Sequence, residues 1–267
     1  MRTYSEYFEI LSLYEKGTAK KTIATTLGIP RGTVLDCIKR YGSVEALEKA
    51  DAVQKSSGLF AVLATLSEPT RSTLHENYAY LLAMYLGDGY ICRARNVYKI
   101  RIALDVRYPK LIDECAAAMQ AVFEENKVNI FYSKQGNFVE VYCHHKHLPI
   151  LFPQHAIGTK HTREIKLETW QQRIVEAYPL QFWKGLYHTD GSRFSNIVKG
   201  KDYPRYQFTN ASEGIIQLFC STCDRLGIEW TSKNRPSQKA THQLIHDIYI
   251  SKRKDVEYLD QHVGPKC

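Results

Sequence analysis

The chain has no apolar run long enough to cross a bilayer, and its first residues, Met1-Arg2-Thr3-Tyr4-Ser5-Glu6, lack the charged-then-apolar pattern of a signal peptide. Seven cysteines are scattered over 267 residues, too thinly for a small disulfide scaffold. Together these absences predict a protein with reduced thiols and no membrane partner, cytoplasmic, or nucleoid-associated in a bacterium. Acidic residues are also scarce relative to basic ones. Twenty-eight Asp and Glu stand against 36 Lys and Arg, giving a net charge of +8 and a pI near 9.0. That balance favours a polyanionic partner. The excess is not a tail. Arg93, Arg95, Lys99 and Arg101 interleave with Tyr90 and Tyr98, and Lys201 and Arg205 interleave with Tyr203 and Tyr206. Strand alternation would put one set on an exposed sheet face, where Arg and Lys can track phosphates and read base edges.

What the chain does contain is an internal echo. Leu81-Leu82-Ala83-Met84-Tyr85-Leu86-Gly87-Asp88-Gly89 matches Trp183-Lys184-Gly185-Leu186-Tyr187-His188-Thr189-Asp190-Gly191. Each reads as an apolar, small-residue helix that stops at Asp-Gly. Further pairs follow in order: strand-like runs ending at Asp105 and Asn210, then Cys115 and Cys220 in helical stretches. Ser133-Lys134 and Ser232-Lys233 come next, placed to touch phosphate, and Gly158-Thr159-Lys160 and Gly264-Pro265-Lys266 close the two runs. Several matches in register support a duplication, with halves at 76–177 and 178–267. Two equivalent carboxylates delivered to one place make a two-fold site, which suits duplex DNA.

The chemistry of such a site follows from the residue types. Ala83, Gly87 and Gly185 lack bulk, so two helix backbones can cross closely, with Leu81, Leu82, Met84 and Leu186 supplying apolar contact. Two carboxylates brought together repel and raise one pKa. A hard divalent cation relieves that repulsion and can activate water at a phosphodiester.

The two segments resemble the LAGLIDADG motif of homing endonucleases, in the single-chain form with two motifs. The resemblance covers about residues 76–267. It implies an α+β fold, a duplicated αββαββα unit with pseudo-two-fold symmetry, the motif helices packed at the axis and two four-stranded sheets saddling DNA. It also implies that Asp88 and Asp190 bind Mg2+ or Mn2+, with Gly87 and Thr189 beside them at the metal. The basic residues late in each half, Lys160 and Lys266, would stand near the scissile phosphates. His188 replaces an acidic residue of the pattern and reads as a helix-end residue near the site, not a ligand.

A separate signal lies upstream. Residues 18–41 read as helix, turn, helix, with a supporting helix near 5–16. Ala24 permits a tight crossing, Gly28 a sharp turn, and Ile23, Leu27, Ile29, Val34 and Ile38 form the apolar stripe. This resembles an all-α helix-turn-helix DNA-binding domain over 1–50. Arg31, Thr33, Asp36 and Lys39 avoid the stripe and can reach a major groove. Residues 51–75 read as a linker. The cluster Cys143-His144-His145-Lys146-His147, with His155 and His161 nearby, has zinc-ligand chemistry but no finger spacing.

Two functions fit these residues. One is a monomeric, site-specific double-strand DNA endonuclease with DNA contacts at Arg31, Thr33, Asp36, Lys39, Arg93, Arg95, Lys99, Arg101, Lys134, Arg205 and Lys233. The other is a DNA-binding transcriptional regulator on the same scaffold without cleavage. Retention of both aspartates favours the first.

Overall fold

The computed structural model describes residues 4–49, 72–134, 136–156, 158–160, 163–236 and 244–267. The chain divides into two compact units, Met1–Thr65 and Leu66–Cys267. Most of the expected linker, and His161 of the histidine cluster, lie outside the described residues. Residues 72–75, counted with that linker from sequence, belong to a helix.

The first unit holds α1 (Tyr4–Glu15), α2 (Lys20–Thr26), α3 (Arg31–Tyr41) and a further helical stretch at 44–49. Gly28 turns the chain between α2 and α3 at φ +61°, a left-handed conformation open to glycine at little cost. The core is Ile10, Leu11, Ile23, Ala24, Val34, Cys37 and Leu47, with Leu27, Ile29 and Ile38 packed at its edge. The expected stripe is therefore the buried face. Cys37 belongs to it as well, because it lies one turn beyond Val34.

The second unit begins with α4 (Ser72–Asp88), followed by β1 (Gly89–Ala94), β2 (Val97–Asp105), α5 (Pro109–Val122), β3 (Asn129–Tyr132) and β4 (Phe138–His145). Short α6 (Leu148–Leu151) and α7 (Thr169–Ala177) lead to α8 (Pro179–Asp190) and β5 (Gly191–Phe194). After a two-residue ribbon, β6 (Ile197–Val198) with β7 (Lys201–Asp202), come β8 (Arg205–Asn210), α9 (Glu213–Leu226), β9 (Thr231–Pro236), β10 (Leu244–Ile250) and α10 (Arg253–His262). Two antiparallel four-stranded sheets result, ordered β1-β2-β4-β3 and β5-β8-β10-β9.

Side-chain alternation fixes which face of each sheet is covered. Ile100, Ile102 and Leu104 of β2 and Val139, Val141 and Cys143 of β4 are buried, as are Tyr206 and Phe208 of β8 and Ile248 and Ile250 of β10. The intervening residues form the uncovered faces. Tyr78 to Leu86 of α4 are buried without a break. A helix apolar on all sides needs neighbours all round. α4 has them in α8, α5, α7, β1 and β2.

The ladders set the correspondence between the sheets, and it differs from the dipeptide matches. Gly89 pairs with Ile102 and Gly191 with Phe208, so Ile102 and Phe208 hold like positions. Asn210 then corresponds to Leu104, not to Asp105. Ser133-Lys134 follows β3, whereas Ser232-Lys233 lies within β9 with Ser232 at the place of Ile130, so those dipeptides are three positions out of step. Ladder hydrogen bonds set register, and loop lengths shift dipeptides against it.

α4 and α8 cross where side chains vanish. A Cβ on Gly87 would stand 2.3 Å from the Cβ of Thr189, and one on Gly185 2.6 Å from the Cβ of Ala83 and 2.5 Å from the Tyr80 carbonyl oxygen. Ala83 meets Gly185 and Gly87 meets Thr189, each residue facing its counterpart in the matching segment. Beside this contact the Tyr80 hydroxyl hydrogen-bonds His188 Nδ1 at 2.9 Å. Burial there holds His188 down at about 3, hence neutral. We predict that Gly185→Val destabilises the protein by about 3 kcal/mol, since the obstructing atoms are backbone and cannot rotate away. Urea denaturation measures it, and a change under about 1 kcal/mol would contradict so close a crossing.

Candidate active site

α4 and α8 end at Asp88 and Asp190, and both aspartates line one cleft with Gly87, His155, Lys160, Arg163 and Asn210. The turn to β1 and to β5 follows at once, so each carboxylate sits where a helix gives way to a strand. Last-turn carbonyls of a helix have no partner within it. Here they are met by lysines. Lys160 Nζ donates to the carbonyls of Tyr85, Leu86 (2.9 Å) and Gly87 (2.8 Å), and Lys266 Nζ donates to the Thr189 carbonyl at 2.9 Å. Each ammonium also lies over a tyrosine ring, Lys160 over Tyr85 at 5.1 Å and Lys266 over Tyr187 at 5.6 Å. The structure thus gathers Asp88, Asp190, Lys160 and Lys266 at one end of the helix pair. The carbonyls of Gly87 and Thr189, expected beside a metal, each accept from a lysine. A carbonyl has a second lone pair, so this does not bar it from a cation.

The electrostatics are those of carboxylates withdrawn from water, with like charge adding to the cost at Asp88. Withdrawal from water and the neighbouring Asp190 charge push Asp88 up to about 6, against the pull of Lys160 and Lys266. Asp190 is also raised by burial, opposed by a hydrogen bond from Asn210 Nδ2 to Oδ2 at 2.9 Å and by the two lysines. Burial lowers Lys160 and Lys266 to about 8, although both aspartates favour their charged forms. The two carboxylates are not alike. Asp190 is half-buried and held by Asn210, whose own Oδ1 accepts from the Ser212 amide at 2.7 Å. Asp88 is the more accessible of the two as a residue, while its carboxyl lies among Asp190, Lys160 and Lys266. Asn210, Arg163 and His155 complete the cleft and are absent from the expected site residues. Asn210 carries a signal as the end of a strand and His155 one as a neighbour of the histidine cluster, whereas Arg163 belongs to no motif.

The two sheet faces hold only part of the expected basic set. Lys99 and Arg101 lie on the uncovered face of the first sheet with Tyr90 and Tyr142. Arg93 has the parity of Ile91 and so falls on the covered side, at the strand end. Arg95 stands in the β1–β2 turn at φ +54°. Lys134 is exposed after β3. In the second sheet Arg205 and Lys233 share the uncovered face with Gln207, Thr209 and Arg235. Arg205 Nε is buried and has no hydrogen-bond partner among the described residues. In the first unit Arg31, Asp36 and Lys39 of α3 are exposed and Thr33 is half-buried, all clear of the core.

Alternation splits the Cys143–His147 cluster, although the His145 and His147 rings stay in contact at 5.5 Å and the His147 amide donates to His145 Nδ1 at 3.2 Å. Cys143 points into the core and His144 to the opposite face, where its ring meets Tyr142. Among the described residues no three His, Cys, Asp or Glu side chains come together as a metal site. Cys220 and Cys223, three apart on α9, are a paired spacing within the scattered seven. Both are free and buried, and Cys223 Sγ accepts from Trp183 Nε1 at 3.3 Å. No described helix is long and apolar enough to cross a membrane.

No known family's sequence model matches the chain, and no curated protein does. Among solved structures, mesophilic variants of the homing endonuclease I-DmoI are similar at a TM-score of 0.49 and 17% identity, over 72% of this chain and 97% of theirs. Full-length DUF199/WhiA from Thermatoga maritima is similar at 0.46 and 13%, over 72% of this chain and 56% of its own. A mutant of I-SmaMI gives 0.43 and 12%, over 69% and 84%. What the cleft can do follows from this chain's own residues.

A raised carboxylate pKa has a direct consequence for stability. The folded state resists ionising Asp88, so this group destabilises the fold as pH rises through the range from about 4 to about 6. Asp88→Asn is expected to raise the thermal midpoint at pH 7. The gain should vanish below about pH 4, where the wild-type carboxyl is protonated folded or unfolded. An unchanged or lowered midpoint at pH 7 would show that no such strain is stored there.

Proposed function

We propose that the protein is a site-specific double-strand DNA endonuclease of the two-motif LAGLIDADG type, its halves at 76–177 and 178–267 related by a pseudo-two-fold axis through the crossing of α4 and α8. The observation that carries the reading is the convergence of Asp88 and Asp190 at the ends of two closely crossing helices, with a lysine beside each. Equivalent residues meeting across the crossing and like strand orders in the two sheets support the two-fold.

The donor set fits a divalent cation. Two carboxylates, both raised by burial and Asp88 also by the Asp190 charge, offer hard oxygens, and added positive charge would favour their ionised forms. Asp88 and Asp190 would hold Mg2+ or Mn2+, with the Gly87 and Thr189 carbonyls adjacent. The metal would supply water activation and neutralisation of charge at the phosphate. This chain's own groups do the rest. Lys160 and Lys266 lie near the strand ends that lead to the sheet faces, and each can stabilise the negative charge that builds on a phosphate oxygen. With pKa values near 8, either can also pass a proton to a leaving oxygen close to neutral pH. Asn210 fixes the rotamer of Asp190. Lys99, Arg101, Arg205 and Lys233 face the duplex from the two sheets. The first unit adds a helix-turn-helix whose Arg31, Thr33, Asp36 and Lys39 enter a major groove, joined through 51–71, so that docking of one unit raises the local concentration of the other. A single chain carries both halves, so it acts as a monomer.

Asp88→Asn and Asp190→Asn are each expected to reduce cleavage of a selected duplex at least a hundredfold while changing binding less than threefold, roughly the loss that follows removal of an electrostatic group from a reacting centre. Cleavage at the wild-type rate by both variants would overturn the assignment. Arg31→Ala is expected to weaken specific binding and, with deletion of residues 1–50, to shorten the protected footprint. An unchanged footprint would remove the first unit from the interface.

A further inference from the structure

On each uncovered sheet face, one carboxylate holds the cations that would meet DNA. In the first sheet Glu140 lies between Arg101, whose Nη1 donates at 2.9 Å, and Lys99, whose Nζ is 3.6 Å away. Lys99 also lies over the Tyr142 ring at 3.9 Å and Arg101 over Tyr90 at 5.0 Å. In the second sheet Asp247 accepts from Arg235 Nε at 2.7 Å, Thr209 Oγ1 at 2.6 Å and Gln207 Nε2 at 3.0 Å. These two acids hold the same place. Val141 pairs with Ile102 and Ile248 with Phe208, so Glu140 and Asp247, one residue earlier on β4 and β10, correspond. Tyr142 and Tyr249 follow each in turn.

Like placement on both faces argues against a stray surface pair. The Glu140 pairs are partly exposed and stabilise a fold by less than about 1 kcal/mol, so fold stability alone gives little reason for them, whereas Asp247 is buried beneath its donors and its pair also holds the second sheet together. The effect on a polyanion is larger. A carboxylate at the middle of the face cancels part of the cationic field and meets any phosphate there with like charge. Only a duplex that offers amino-group donors of its base edges, cytosine N4 or adenine N6, can satisfy that carboxylate while Lys99, Arg101 or Arg235 turns to acceptors.

We infer that Glu140 and Asp247 are specificity-determining residues that tie down the cations of the sheet faces and so weaken binding to duplexes of the wrong sequence. The inference rests on the DNA-binding reading above. It predicts that removing the charge makes the protein a better binder of any DNA and a worse discriminator.

The test uses the full chain, a duplex selected from a random pool and a random-sequence duplex of equal length, with affinities measured over a range of salt. Glu140→Gln keeps the side-chain shape and is expected to raise affinity for the random duplex several-fold. It should steepen the salt dependence by about one phosphate contact per cation released. The ratio of selected to random affinity should fall. Asp247→Asn carries the same test to the second sheet, and unfolding curves check that each variant is folded. Random-duplex affinity and salt dependence equal to wild type in folded Glu140→Gln, with the ratio intact, would overturn the inference and leave DNA binding standing. Failure of the wild type to bind either duplex would instead overturn the DNA reading, and this inference with it.

Discussion

The near-contact of two helix backbones is the constraint on which the rest of the second unit depends. Gly87 against Thr189 and Gly185 against Ala83 leave no room for larger side chains. The helices end together, and Asp88 and Asp190 arrive at one cleft. Both carboxylates are then raised above their ordinary range, an arrangement that costs stability and would be relieved by bound positive charge. The two lysines do only part of that work, because their ammoniums are directed to helix-end carbonyls. Each lysine thereby closes a helix and stands ready beside a carboxylate. Perturbed carboxylates gathered at a cleft, with donors fixed around them, mark a candidate functional site.

The same constraint orients the sheets. β1 and β5 begin at the residue after each aspartate, so the end of each helix fixes where its sheet starts. Their chemistry is mixed. Cations, tyrosines and a central carboxylate alternate, where a purely basic face would bind any polyanion. The two faces also differ in detail, with Arg101 where the second sheet has Gln207 and Ala103 where it has Thr209.

Much of this was legible in the residues. The helix-to-Asp-Gly segments, the strands ending near Asp105 and Asn210, and the helices around Cys115 and Cys220 all stand where periodicity and composition put them. Lys160 and Lys266 also come to the expected end of the helix pair. Pairwise matching failed where hydrogen-bond ladders decide. Asn210 answers to Leu104, and the two Ser-Lys dipeptides are out of register. Arg93 is exposed, but with the parity of Ile91 it stands off the face that carries Lys99 and Arg101. Glu140 and Asp247 could not be read as partners of Lys99, Arg101 and Arg235, since nothing in a local stretch announces a cross-strand neighbour. The cleft residues Arg163 and His155 lay in a connection without periodicity, where sequence offers least. In the first unit the apolar stripe predicts the core well, because the short helices among the described residues leave few ways to bury it.

The central claim is that the paired aspartates cut DNA. The most direct measurement selects a bound site from random duplex DNA with the full chain, then incubates that site with the protein in Mg2+ and, separately, in EDTA, resolving both strands. The account predicts scission of each strand at one position in Mg2+ and none in EDTA. Tight, specific binding with both strands intact in Mg2+ and in Mn2+ would contradict it and leave a DNA-binding regulator built on the same crossing.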